Sequence, residues 1–388
     1  MKSPVRFVPL TPAGEIDWAS LEANYPCFAE MAKTPQNSCH HAEGDVLTHT
    51  KMVAAEAQTL AKRNSLSQED ADVLVGAALF HDCGKPLTLT FENGAPSSPQ
   101  HAAVGTRYLR HFWWHRGWFP EERRELLLSL VRSHAAPVRL FDPRHEPEYR
   151  VIETSWASRN DLLALLAEAD MRGRICVEVS GQAAAIETAQ AFAEYAREIH
   201  CFDTPRPFAN GLARFHYFDT QGKSGPDYVP FDDSKGEVIL MSGLPGSGKN
   251  TWVTKNAGEL PAVELDAVRA ELGVSPQDDQ GQVVQTAKER ARDLMRKRAP
   301  RFVWNSTNLR LDLRRQLIGL FTSYGYRVRI VYCPADRPVV VSRNQKRENS
   351  VRVPVSALDH MGAKLEPPRF TEAHDLVVAQ EAPGAAFS

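Results

Sequence analysis

Residues Gly243-Leu-Pro-Gly-Ser-Gly-Lys-Asn-Thr251, preceded by the apolar run Glu237-Val-Ile-Leu-Met-Ser242, decide how the C-terminal part of this chain is read. A buried strand that ends in a glycine-rich turn and continues as a helix lets consecutive backbone N–H groups surround a polyphosphate, with a lysine as a point charge on its outer phosphates. Gly243, Gly246, Gly248 and Lys249 fit the GxxxxGK spacing, with Ser247 inside the loop. Asn250 stands where that pattern has Ser or Thr, and Thr251 comes next. The competing reading is a chance glycine turn, which the strand in front of it disfavours. The segment after the loop therefore reads as a nucleotide-dependent domain, and the segment before it needs a separate explanation.

Downstream, Pro261-Ala-Val-Glu-Leu-Asp-Ala-Val-Arg269 predicts a short strand ending at Asp266 and then a helix start. Further strands are predicted over 301–308, 327–332 and 375–378, with helices over 280–298 and 311–324. Strands alternating with helices predict an α/β domain over 237–380 built on a parallel, doubly wound sheet, with ligands at the strand C-termini. The tail 381–388 is expected to be disordered.

The first half carries no comparable strand signal and reads as an all-helical domain over 1–202. Helical periodicity runs over 46–63, 71–81, 100–116, 121–134, 160–174 and 181–200, and Ser67-Gln-Glu-Asp70 resembles a capping box. His81 falls on the row Leu74, Ala77, Ala78; His134 on Leu127, Leu130, Val131; Asp170 on Leu163, Leu166, Ala167. His49 shares a face with Val46 and Val53, and His101 with Val104 and Tyr108. Five polar groups thus point where a core belongs, with Asp82 beside His81. One such histidine is more often a hydrogen-bonded core residue than a ligand. A whole set of them with buried carboxylates is better explained by a metal, because an isolated buried charge is very costly. Residues 203–236 are rich in Pro, Gly and Asp and read as a connector, with a strand or extended arm over 212–218.

The 388 residues suit two domains, and a net charge of −2 confines any nucleic-acid contact to a local basic surface. Six cysteines without a CxxC pair fit a reducing compartment. No apolar run reaches transmembrane length and the first residues lack a signal-peptide core, so a cytoplasmic protein without a membrane partner is expected.

The order His49, His81-Asp82, His101, His134, Asp170 resembles the HD phosphohydrolase superfamily, and the local wording of Gly44–Thr50, Phe80–Pro86 and Glu168–Arg174 resembles HD domains attached to bacterial tRNA CCA-adding enzymes. The resemblance implies His49, His81, Asp82 and Asp170 as ligands of a first metal, His101 and His134 as completing a second position, and Lys85 as a phosphate contact. His41 and Glu43 are further pocket candidates; for these two and Lys85 an ordinary surface role stays open. One or two divalent ions such as Mn2+, Fe2+, Ni2+ or Mg2+ fit donors without a thiolate. A purely structural metal is the alternative, although such sites are usually closed and rich in Cys.

The P-loop half, with Asn250 and then Thr251, resembles small kinases, and Asp266-x-x-Arg269 matches polynucleotide 5′-kinases, in which the Asp accepts the proton of the 5′-hydroxyl and the Arg holds the acceptor's phosphate. Arg343 and Arg347, with Arg352 beyond, resemble the lid that closes over ATP, an exposed basic helix face being the other reading. Asn305 departs from the Walker-B aspartate, which leaves Thr251, water and ATP to hold Mg2+. Thr307 and Asn308 are candidates to orient the acceptor. Together the two halves resemble the bacterial HD-Pnk proteins. That implies end healing of RNA or DNA: a phosphoesterase for 2′,3′-cyclic or 2′ phosphate ends and an NTP-dependent kinase for 5′-OH ends, with a ligase to seal them. A mononucleotide phosphohydrolase and kinase, or a nucleotide-gated RNA-binding regulator without turnover, are the alternatives.

Overall fold

The computed structural model describes residues 6–117, 119–144, 146–275, 278–347 and 352–379, so the tail expected to be disordered lies outside them. The chain divides into two units between Pro207 and Phe208.

The first unit is built from helices α1 (Trp18–Asn24), α2 (Cys27–Met31), α3 (Val46–Arg63), α4 (Gln68–Phe80), α5 (Lys85–Thr88), α6 (His101–Arg116), α7 (Glu121–Ser133), α8 (Pro147–Ala157), α9 (Asn160–Arg172) and α10 (Val179–Glu198). Side-chain caps fix three of the starts: Asp17 accepts from the Ser20 N–H, Asp45 from the Thr48 N–H and Ser67 from the Asp70 N–H. The predicted apolar rows are the core, with Leu74, Ala77 and Ala78 of α4, Leu127, Leu130 and Val131 of α7 and Leu163 and Leu166 of α9 fully buried. α4 packs on α3, α7 and α9, so the rows that end in His81, His134 and Asp170 run side by side.

Two elements depart from the sequence reading. A hairpin joins β1 (Thr90–Glu92) to β2 (Ala95–Ser97) through Asn93-Gly94, both at positive φ, where Asn-Gly favours a tight turn. Three-residue strands are too short for alternation to register. Helix α8 also stands in a stretch for which no helix is predicted, with Pro147 at its start.

The second unit opens with α11 (Gly211–Asp219), a helix where a strand or extended arm is predicted. Asn210 caps it by accepting from the Ala213 N–H at 2.9 Å, and Ala213, Tyr217 and Phe218 face inward at helical spacing. There follow β3 (Gly236–Ser242), α12 (Lys249–Ala257), β4 (Ala262–Glu264), α13 (Leu265–Glu271), α14 (Gly281–Arg296), β5 (Arg301–Asn305), α15 (Leu311–Ser323), β6 (Tyr326–Tyr332), α16 (Arg337–Gln345), α17 (Val355–Ala363) and β7 (Asp375–Val378). The strands form one five-stranded parallel sheet in the order β4-β5-β3-β6-β7. β3 is central, and the turn leaving its carboxyl end is where such a sheet places its ligand. Strand β4 stops at Glu264, so Asp266 lies in the first turn of α13 rather than at a strand end.

Candidate active sites

In the helical unit every predicted ligand stands at the end of a helix. His49 is in the first turn of α3, His101 opens α6, His81 and His134 directly follow α4 and α7, and Asp170 is in the last turn of α9. Backbone carbonyls lock the rings. The Nδ1 atoms of His81, His101 and His134 lie 2.8 Å from the carbonyls of Ala78, Ser98 and Val131, and that of His49 lies 3.1 Å from the Gly173 carbonyl. A carbonyl can only accept, so Nδ1 carries the proton and the Nε2 atoms of His81, His101 and His134 turn lone pairs to the centre, while, against its burial, the Asp170 and Glu43 carboxylates raise the pKa of His49.

The Nε2 atoms and two buried carboxylates converge there. His49 Nε2 is 3.1 Å from Asp170 Oδ1 and 3.8 Å from Asp82 Oδ2; His81 Nε2 is 3.1 Å from Asp82 Oδ2 and 3.8 Å from Asp170 Oδ1. On its other side Asp82 Oδ1 is 3.3 Å from His101 Nε2, which is 3.5 Å from His134 Nε2. Asp82 is thus common to two donor groups, one with His49 and His81, the other with His101 and His134. Burial would raise both carboxyls, but the adjacent His81 ring and the Lys85 ammonium hold Asp82 well below the carboxylate range, and the Arg174 guanidinium does the same for Asp170. Burial lowers His101, and it pushes His134 down to about 3, so both rings are neutral at physiological pH.

These donors fit divalent metal ions. His81 Nε2 is buried without a hydrogen bond, since Asp82, though near, is badly aligned for one. His101 and His134 point two lone pairs at each other, an arrangement that a cation between them and Asp82 would resolve.

Outside this ring, Lys85 Nζ lies 2.7 Å from Asp82 Oδ2 and donates to Gln36 Oε1 at 2.6 Å. Arg174 grips Asp170 with two hydrogen bonds of 3.1 and 2.6 Å. Glu43 Oε1 is 2.8 Å from His41 Nδ1 and 3.0 Å from His49 Nδ1, so these two residues back the first donor group. Gln36 and Arg174 are not singled out by the sequence pattern. The run Glu168–Arg174 does contain a signal for Arg174, four residues beyond Asp170 and so on its helical face.

In the second unit the loop after β3 has the geometry its glycines permit. Gly243 has φ 146, and a Cβ there would stand 2.6 Å from both the Cys333 carbonyl and Ser247 Oγ. Lys249 is folded back on the loop, donating to the carbonyls of Gly243 and Leu244 at 2.8 and 2.9 Å, and burial pushes its ammonium down to about 8. Arg343 of α16 covers the loop, its Nη1 only 3.8 Å from where a Cβ on Gly248 would be. Arg347 and Asp266 are both near enough for their charges to act on Lys249. Asp266 is ion-paired with Arg269, whose Nε donates to Gln280 at 2.8 Å.

The two departures from the P-loop pattern meet. Asn305 Nδ2 donates to Asn250 Oδ1 at 3.0 Å and to Glu264 Oε1 at 3.2 Å, so a carboxylate that no sequence motif marks stands beside both. Thr251, the hydroxyl expected to serve Mg2+, is exposed in the first turn of α12. Asn308 is turned inward, contrary to an acceptor role: it is buried, and its amide donates to the Met241 carbonyl at 2.7 Å. Thr307 accepts from the Gly243 N–H through its carbonyl, which ties β5 to the loop. Arg352 donates to the carbonyls of Gln345 and Arg347 and so caps α16.

Comparison with known families agrees with this division. The family model described as HD domain matches residues 46–156, and the one described as AAA domain matches residues 238–368. An HD domain thus precedes an AAA-type P-loop domain in the chain. In the HD unit the match holds His49, His81, Asp82, His101 and His134 but stops short of Asp170. Among solved structures, a chain of the Pnkp1/Rnl/Hen1 RNA repair complex is similar at 18% identity and TM-score 0.31, over 34% of this chain and 44% of that one. A gluconokinase from Sinorhizobium meliloti 1021 is similar at 22% identity and TM-score 0.28, over 38% of this chain and 86% of that one. The chain therefore spans less than half of the repair-complex chain it matches. Among the described residues no helix is long and apolar enough to cross a membrane. The chain thus joins a phosphohydrolase-type HD domain and a P-loop kinase-type domain in one enzyme.

Proposed function

We propose that this chain heals broken nucleic-acid ends: its first unit opens or removes 2′,3′-cyclic or 2′ phosphates, and its second phosphorylates 5′-OH ends with an NTP and Mg2+. The observation that carries the reading is the pairing, in one chain, of a two-group His/Asp centre with a P-loop that has Asp266 and Arg269 after the second strand. In outline the helical domain extends over 1–202 and the kinase domain over 237–380, and the two work in sequence on ends that a ligase can then join.

In the HD unit His49, His81, Asp82 and Asp170 would hold one divalent ion and Asp82, His101 and His134 a second. Such ions supply Lewis acidity to the phosphoryl group and acidify water. The chain's own residues orient: carbonyls fix the rings, Lys85 and Arg174 fix the carboxylates, and Lys85 is placed to reach a phosphate oxygen. Hydrolysis of a cyclic phosphate adds one water and breaks one P–O ester bond.

At the kinase site Asp266 takes the proton of the 5′-hydroxyl as its oxygen bonds to the γ-phosphorus and the bond to the bridging oxygen breaks, releasing the nucleoside diphosphate. Lys249, Arg343 and Arg347 balance charge on the transferring group, and Arg269 holds the acceptor's 3′ phosphate. The P-loop amides and Thr251 seat the donor.

The test uses γ-labelled ATP with a 5′-OH oligonucleotide, and separately an oligonucleotide ending in a 2′,3′-cyclic phosphate. Lys249→Ala and Asp266→Ala should each abolish label transfer, and His81→Ala should abolish opening of the cyclic phosphate while leaving transfer. Transfer to mononucleotides but to no oligonucleotide would overturn the reading in favour of nucleotide metabolism.

A further inference from the structure

Beside the second donor group the HD unit opens into a cleft of about 640 Å3, with His101 and His134 in its wall. Its charge is lopsided. Arg132 of α7, Arg139 and Arg144 of the loop after it, and Arg150 of α8 line it, against Glu153 as the single carboxylate among the lining residues. Arg144 is occupied by Asp142, to which it donates two hydrogen bonds of 2.9 and 2.5 Å. Arg150 is not so matched. Its Nε is buried with no hydrogen-bond partner, and no carboxylate lies within ion-pair distance of it among the described residues. Burial lowers its pKa, more than the charges of Asp142 and Glu153 at longer range raise it. Arg139, on the turn opposite, likewise has no carboxylate partner among the described residues. Between Arg139 and Arg144 in the chain stands Phe141, 68% exposed.

A guanidinium with unsatisfied donors calls for an oxyanion, and phosphate is matched by its fork. An arginine-lined groove, with an exposed aromatic ring on the chain segment that joins two of those arginines though not itself in the lining, is a combination that holds single-stranded nucleic acid, the cations tracking the backbone and the ring stacking on a base. None of these groups belongs to the His/Asp centre, so a lone phosphate ester reacting there would leave them unused. We infer that the cleft seats the strand leading to the reacting end, with Arg139 and Arg150 on the phosphates of neighbouring nucleotides and Phe141 against a base. This rests on the phosphoesterase reading above and deepens it: the HD unit prefers the ends of single-stranded polynucleotides to mononucleotides.

The test compares kcat/KM for an oligonucleotide ending in a 2′,3′-cyclic phosphate with that for a 2′,3′-cyclic mononucleotide. In Arg139→Ala, Arg150→Ala and the double variant the ratio of the two should fall, tenfold or more in the double variant and mainly through the KM of the oligonucleotide. Phe141→Ala should lower it severalfold. A second arm measures binding of a fluorescent oligonucleotide with a 3′ phosphate to chelator-treated full-length protein in an Arg269→Ala background. There the slope of log Kd against log salt should shrink by about 0.7 for each phosphate that an arginine no longer neutralises. Arg139→Ala, on a surface turn, carries both arms should Arg150→Ala fail to fold. Equal losses on both substrates, or a ratio and salt slope that stay at the parent values, would overturn the inference. If the parent protein hydrolyses neither substrate, it is the phosphoesterase reading that fails, and the binding arm alone decides the cleft.

Discussion

At the scale of single residues, the informative side chains are those whose surroundings leave them one role. Lys249 is buried against two carbonyls and sits near a pKa of about 8, far below the usual lysine value of 10.5. Nucleotide phosphates favour its charged form, so above pH 8 binding must draw a proton from solution. Nucleotide affinity should be level below about pH 8 and weaken as pH rises through it, while Lys249→Met should bind weakly at every pH. A titration of Kd from pH 6.5 to 9.5 in roughly half-unit steps checks this, about one decade per unit being the steepest slope that a single proton allows. Spacing alone carries such a residue, since only one lysine fits the loop pattern. It does not carry Asn308, which comes after a strand as an acceptor-binding residue would and is instead drawn inward by the Met241 carbonyl. Nor does it carry Glu264, whose link to Asn250 through Asn305 joins three separate segments. The side chain's direction at a strand end is set by such tertiary partners, and a linear pattern does not contain them.

Among elements, the HD centre depends on how closely helices can approach. Gly84, just before α5, lies against α6: a Cβ there would stand 2.1 Å from the His101 carbonyl and 2.6 Å from the Gly105 N. That approach is what brings Asp82, two residues earlier, to His101. Gly84→Ala should therefore destabilise the HD unit by about 1–3 kcal/mol, as overpacking does. It should also lower phosphoesterase activity in the folded fraction, with kinase activity in the same sample as the internal control. Retention of full phosphoesterase activity would show that α6 can yield without moving His101. The helices that carry the ligands were legible because each repeats its apolar row over several turns, before the ligand in α4, α7 and α9 and after it in α3 and α6. The hairpin, α8 and α11 were not. The first is too short for periodicity, and the aromatic run of α11 reads as a strand until Asn210 is seen to cap it.

Over the whole molecule, each unit has a core of its own, one drawn from residues before Phe208 and one from residues after it. The second unit also has a single buried pin. Arg314 of α15 is fully buried and pairs with Glu372 at 2.7 Å while donating to the carbonyls of Asn308 and Glu366. Removing it strands a carboxylate in the interior, so Arg314→Ala should cost about 3–5 kcal/mol. Heating that variant should extinguish kinase activity well below the temperature at which phosphoesterase activity is lost. Simultaneous loss would mean that the two cores unfold together. The two-domain division was readable because the strand-and-helix pattern begins only at the P-loop strand, whereas the arginines of the HD cleft come from three segments and share no motif.

At the HD centre, Asp82 and Asp170 are already matched, one for one, by Lys85 and Arg174. The protein thus offers imidazole donors and carboxylates whose charge is spoken for, and a divalent ion entering it adds its own charge almost undiminished. That sets an order of addition. Before loading, Lys85 is engaged by Asp82 and the centre offers a phosphate little net charge; after loading, the excess positive charge draws it in, so inorganic phosphate should compete with substrate only once the metal is aboard.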